Sequence, residues 1–108
     1  MPRLTPIQSK SDVPAAHQDV ADDVMKVFGR IRGPYSMLLH APNLAKKLLP
    51  LVPFFRDECM VEAPLRSLAI ISAVRECEAA YVWAAQVAAA RRNGVSEEAI
   101  QVVKSKAD

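Results

Sequence analysis

Residues 63–105 read APLRSLAIISAVRECEAAYVWAAQVAAARRNGVSEEAIQVVKS, and this stretch decides the fold. Pro64 suits the first turn of a helix, where its missing N–H is no loss. Behind it Leu65, Leu68, Ala69, Ile71, Ser72 and Val74 are compatible with a buried helix over residues 63 to about 77. A second helix is predicted from about 79 to 92, carrying Tyr81, Trp83, Ala84, Val87, Ala88 and Ala90, with Gly94 as its C-terminal cap. Ser96 then caps a third, with Glu97 and Glu98 in its first turn and Ile100, Val102 and Val103 as its apolar residues.

Upstream, Val20, Val24, Val27, Phe28 and Ile31 recur at spacings of three and four, which predicts a helix from about 18 to 32, stopped by Gly33-Pro34. Its acids, Asp19, Asp22 and Asp23, lie near the start, and Lys26, Arg30 and Arg32 near the end, as the helix dipole favours. Residues 35–40 read as one helical turn. A further helix is expected over 43–55, with Leu44, Leu48, Leu49 and Val52 as its stripe. Pro50 and Pro53 sit inside it, so a kink or break is predicted at 49–53. Residues 1–16 hold Pro2, Pro6 and Pro14 among polar residues and read as an extended arm, free to drape over the domain or a neighbour. The expected organisation is this arm followed by one all-α domain of five to six helices over 17–108.

Composition agrees with helices. The chain has 108 residues, of which 51% are hydrophobic and 24% charged, with only 3 glycines, so one globular, alanine- and leucine-rich domain is expected. The net charge of +2 is spread along the chain without like-charge blocks, which gives no reason to expect a nucleic-acid partner. No run of apolar residues approaches membrane-span length, and no signal-like start precedes the domain, so a cytoplasmic protein without a membrane partner is expected. Cys59 and Cys77 would then be thiols, and their spacing makes no redox or metal motif. The run Glu76-Cys77-Glu78 is no better, since three adjacent helical residues cannot converge on one ion.

The segment from Arg66, RSLAIISAVRECEAAYVWAAQVAAARRNGVSEEA, resembles the core of the carboxymuconolactone decarboxylase / AhpD-like alkylhydroperoxidase family. That core runs Arg-Glu-Leu-Ala-Ile-Leu, a helix, Tyr-Glu-Trp-x-x-His, then Ala-Arg-x-x-Gly-Leu/Val-Ser-x-Glu, and the register fits without a gap. Upstream, GPYSMLLHAPNLAKKL is similar to the family's Gly-Pro-(Phe/Tyr)-x-x-Leu-Leu-His-x-Pro-x-Leu-Ala. The resemblance covers roughly residues 19–105. It implies an AhpD-like helical bundle that assembles into trimers or hexamers, with no metal or organic cofactor. Family members commonly continue with further helices. Either a partner subunit covers the faces left open here, or a longer parent chain does.

The resemblance implies a lyase acting on a lactone acid, or a thiol peroxidase using Cys-x-x-Cys, a His and a relay Glu. In this chain the relay position carries Ser67, the two thiol positions carry Ala79 and Val82, and the His position carries Gln86. Only Tyr81 and Trp83 keep the frame. Ala79 and Val82 cannot form or resolve a sulfenic acid, and Ser67 and Gln86 hydrogen-bond without titrating near neutrality. Cys77 lies two residues before the first thiol position, about 200° away around a helix. The site expected by resemblance is therefore Ser67 and Gln86, with Tyr81, Val82 and Ala79 lining a pocket; His40 and Arg75 are added to that lining on their own side-chain chemistry.

Each of these residues also has a plain structural role open to it. Tyr81 can line a pocket mouth or simply hydrogen-bond a neighbour while Trp83 packs in the core. His40 can act as a general base or cap a helix end. Arg75 can hold a small acidic or lactone-like ligand, or serve in a salt bridge. Catalysis within a degenerate family site and a non-catalytic oligomeric binding or scaffold module are the two functions that remain.

Overall fold

A computed structural model describes residues 3–106. It is all-helical, with no strand among the described residues and one helix bent at 49–50. Met1 and Pro2 of the expected arm, and the last two residues of the expected domain, lie outside the described residues. The chain divides into two compact units, residues 1–58 and 59–108.

In the first unit, α1 (Gln18–Phe28) stops at Gly29, earlier than the Gly33-Pro34 signal predicts. Gly29 takes the left-handed conformation, φ +76°, and its N–H closes the helix on the Met25 carbonyl at 2.8 Å. A glycine adopts this cap without the steric penalty other residues meet, so the first glycine ends the helix. Gly33, φ +60°, then turns the chain into α2 (Pro34–Leu38), with Pro34 in its first turn. Ile31 lies between the helices yet is 6% exposed, so the apolar period runs past the helix that it suggested.

Next come α3 (Pro42–Leu48) and the short α4 (Leu51–Pro53), followed by a π-helical turn at Phe54–Glu58. The break falls where Pro50 removes a backbone donor and crowds the preceding turn. On α3 the buried residue is Ala45, fully enclosed, while Leu44 is half exposed. The inward stripe is therefore Ala45, Leu49 and Val52, and Leu44 is not part of it. A small side chain at 45 leaves room for the valines of α1, and Val20, Ala21, Val24, Tyr35, Leu39, Ala45 and Leu49 form one core.

The N-terminal segment lies on that core, and it includes two single helical turns where an extended arm is expected. Lys10–Asp12 and Ala15–His17 are single 3-10 turns. Ile7 and Val13 are 4% and 2% exposed in the core, and the Ile7 N–H donates to the Ser36 carbonyl at 2.8 Å. Pro6 and Pro14 remove donors, but they leave Ile7 and Val13 free to pack.

The second unit is three helices, α5 (Ala63–Glu76), α6 (Ala80–Arg92) and α7 (Glu97–Ser105). Ile71, Val87, Ala90 and Ile100 form its buried cluster, with Leu68, Trp83, Val95 and Val103 packed around them. Ser96 caps α7 as expected, its Oγ accepting from the Ala99 N–H at 3.1 Å. Among the described residues, no helix is long and apolar enough to cross a membrane.

Asp12 anchors the first 3-10 turn. Its carboxylate accepts from the N–H groups of Gln8 and Ser9 and from the Ser9 hydroxyl, at 3.0 to 3.2 Å. These bonds, the Gln8 N–H first, hold its pKa below the ordinary value. A depressed carboxylate contributes stability that is full above its unfolded pKa of about 3.9 and is lost as pH falls through the folded value. Asp12→Asn should therefore lower the urea midpoint at neutral pH and flatten its fall below about pH 4, measured by far-UV circular dichroism.

Candidate functional site

The turn that reverses α5 into α6 is built from two backbone bonds. The Glu78 N–H donates to the Arg75 carbonyl and the Ala79 N–H to the Val74 carbonyl, at 3.1 and 3.2 Å. This pairing needs a left-handed residue between them, and the sequence supplies Glu78, φ +53°. The end of α6 uses the same device with a better residue. There the Gly94 N–H donates to the Arg91 carbonyl and the Val95 N–H to the Ala90 carbonyl, with Gly94 at φ +92°. The strain at Glu78 is therefore a property of the residue, not of the turn.

Beside this turn lies a recess of about 310 Å³ lined by Val74, Arg75, Glu78, Ala79, Ala80, Trp83 and Lys104. Its lining is apolar along Val74, Ala79, Ala80 and Trp83, with charge at Arg75, Glu78 and Lys104. The Arg75 Nε donates to the Lys104 carbonyl at 2.8 Å, so the last turn of α5 caps the last turn of α7. That bond fixes the guanidinium while leaving its two terminal nitrogens without a carboxylate partner among the described residues.

The residues expected at a site are distributed as follows. Arg75 and Ala79 meet in this recess. Ser67 is buried on α5, where its Oγ accepts from the Asn93 side-chain amide at 2.9 Å. Gln86 is half-buried on α6, seven residues before Asn93, which is two turns or about 10 Å along the axis. Tyr81 is 72% exposed and Val82 is 39% exposed, and neither lines the recess. His40 belongs to the first unit, where its Nε2 donates to the Thr5 carbonyl at 2.8 Å. A carbonyl only accepts, so this bond places the ring proton on Nε2. Cys77 is exposed and Cys59 half-buried, both as free thiols.

Three residues carry more than the sequence reading assigned them. Asn93 holds Ser67, although its place before Gly94 reads only as the approach to a cap. Lys104, near the end of α7, lines the recess, and its carbonyl fixes Arg75. Glu78 reads as one acid of a charged run, and the only advance signal of its role is the absence of glycine between two helices. No protein-family model, no curated protein and no solved structure matches the chain.

Glu78→Gly should stabilise the chain by about 1 kcal/mol, because glycine removes the left-handed penalty. Gly94→Ala should destabilise by about 1 kcal/mol for the converse reason. A Cβ there would meet only the Pro64 Cγ at 3.6 Å, an ordinary contact, so the backbone and not crowding sets that loss. Urea unfolding midpoints of the two variants against the parent measure both signs.

Proposed function

We propose that this chain is a non-catalytic, self-associating helical module patterned on the carboxymuconolactone decarboxylase-like family, working in the cytosol. The observation that carries the reading is the outer surface of the α5–α6 hairpin. Residues 67–74 and 79–90 contain no charged side chain. Yet within this small unit Leu65, Ala69, Ile70 and Ala73 of α5, and Tyr81, Val82, Ala84 and Ala85 of α6, are exposed. A helix that is apolar around its circumference belongs in an interior.

A second copy of this chain is the occupant that the charge pattern favours. The turn end of the hairpin carries Arg75, Glu76 and Glu78, a net negative charge, and the other end carries Glu62, Arg66, Arg91 and Arg92, a net positive one. Laid antiparallel on itself, the hairpin brings the arginines of one copy to the acids of the other. Arg92 and Glu78 make no ion pair among the described residues, so both are available for that contact. A twofold contact of this kind uses one surface patch on both subunits. It is also compatible with the hexamers that the family resemblance implies. The face is two helices wide and about 20 Å long, small for a specific interface, which suits micromolar rather than nanomolar association.

The non-catalytic half of the reading is supported by the side chains at the family positions. Ser67 is engaged by Asn93, and Ala79 and Val82 carry no reactive group. Gln86 has no titratable proton to exchange near neutral pH.

Sedimentation velocity tests the association. The parent chain should run as a dimer or a multiple of one at about 100 μM, and Val82→Glu should weaken association at least tenfold. Arg92→Glu should weaken it too, and adding Glu78→Arg should restore it. A parent that stays monomeric throughout, or a Val82→Glu variant that associates normally, would overturn the reading. Peroxide-dependent thiol oxidation faster than that of a Cys77→Ala control would overturn its non-catalytic part.

A further inference from the structure

We infer that the recess bounded by Arg75, Trp83 and Lys104 is a binding site for a planar, singly charged carboxylate of about one ring. The positions suggested by the family resemblance do not form this site. Of those, only Ala79 and Trp83 border it, while Ser67, Tyr81, Val82 and Gln86 do not. Instead it stands on three elements of the second unit meeting at one end: the last turn of α5, the first turns of α6 and the last turn of α7.

Three features select the ligand. The first is the fixed guanidinium. Arg75 Nε is committed to the Lys104 carbonyl at 2.8 Å, which leaves its two terminal nitrogens without a carboxylate partner among the described residues and able to take one as a pair. An arginine already held in place loses less freedom on binding than a mobile one. The second is the floor. Val74, Ala79 and Ala80 are small or apolar, and Trp83 offers an aromatic surface against which a flat ring can lie. The third is Glu78, on the rim and in a strained left-handed conformation. In the unassociated chain, where Glu78 has no ion-pair partner among the described residues, its charge leaves a net single positive charge with Arg75 and Lys104, which suits one carboxylate and disfavours a second. At about 310 Å³ the recess sits at the small end of ligand pockets, which limits the body to about one ring.

Trp83 is the only tryptophan in the chain, so its fluorescence reports the site directly. Benzoate should quench it saturably, and raised salt should weaken the effect. Benzyl alcohol, which lacks the charge, and benzene-1,4-dicarboxylate, which adds a second one, should bind at least fivefold more weakly. Lys104→Gln retains the carbonyl that holds Arg75, so its thermal melt should be unchanged while the benzoate Kd rises at least threefold. Arg75→Gln should raise the Kd more. If that variant does not fold, Lys104→Gln decides alone. Val82→Glu, which addresses self-association, should bind benzoate as the parent does, so failure of one reading is distinguishable from failure of the other. Non-saturable quenching equal to that by benzyl alcohol, or an unchanged Kd in Lys104→Gln, would overturn the assignment.

Discussion

The second unit depends on bringing three helices back to one small cluster, and that return is a backbone problem before it is a packing one. Ile71 and Ile100 are the large side chains of the cluster, and each is at most 1% exposed. They meet only if α5 reverses sharply into α6 and α6 into α7. Both reversals use the same paired bonds around a left-handed residue. Ala90, fully buried, lets α6 approach closely enough for so few large groups to exclude water. With four buried hydrophobic residues among the described ones, this unit has little margin, and the turns take a correspondingly large share of its specification.

The first unit meets the same need differently. Its helices are short, and Pro50 interrupts the longest apolar run, so helix-on-helix contact alone encloses little. The chain ahead of α1 completes the core instead. Ile7 and Val13 insert from a segment with almost no regular structure, fixed by the bond from Ile7 to the Ser36 carbonyl and by His40 on the Thr5 carbonyl. Lys10 reaches Asp22 at 2.9 Å, but an exposed pair of this kind contributes little, and the buried aliphatic groups hold the segment.

These differences explain what was legible in the sequence. The three helices of the second unit, the Ser96 cap and the break at Pro50 follow from local chemistry, because a proline or a capping hydroxyl acts within a few residues of itself. Gly29 and Gly33-Pro34 both offer a stop, and α1 ends at the first glycine to take the left-handed cap, its N–H closing on the Met25 carbonyl. The prolines that suggest an extended N-terminal arm mark missing donors but say nothing of whether the intervening Ile7 and Val13 find a core. Leu44 was misassigned because period and hydrophobicity favour it over Ala45, whereas close helix approach favours the smaller residue. Of the residues expected to line a pocket, Arg75 and Ala79 border one recess. The pairing of Ser67 with Asn93, 26 positions away, was not legible, since no local pattern encodes a contact made by reversing the chain.

The same reversal separates two kinds of polar group along the hairpin. At its open end Ser67 and Asn93 satisfy one another, which is what a polar pair must do to be tolerated beside a core. At its turn end Arg75 finds a carbonyl for one nitrogen only, Lys104 has no carboxylate within ion-pair range among the described residues, and Glu78 is held in a conformation that glycine would occupy more easily. Packing explains the first arrangement completely. It does not explain why charge is concentrated where the backbone is strained and the aromatic floor is open. Strain and unspent hydrogen-bonding capacity at one place are what a binding site retains and a purely structural turn has no reason to keep.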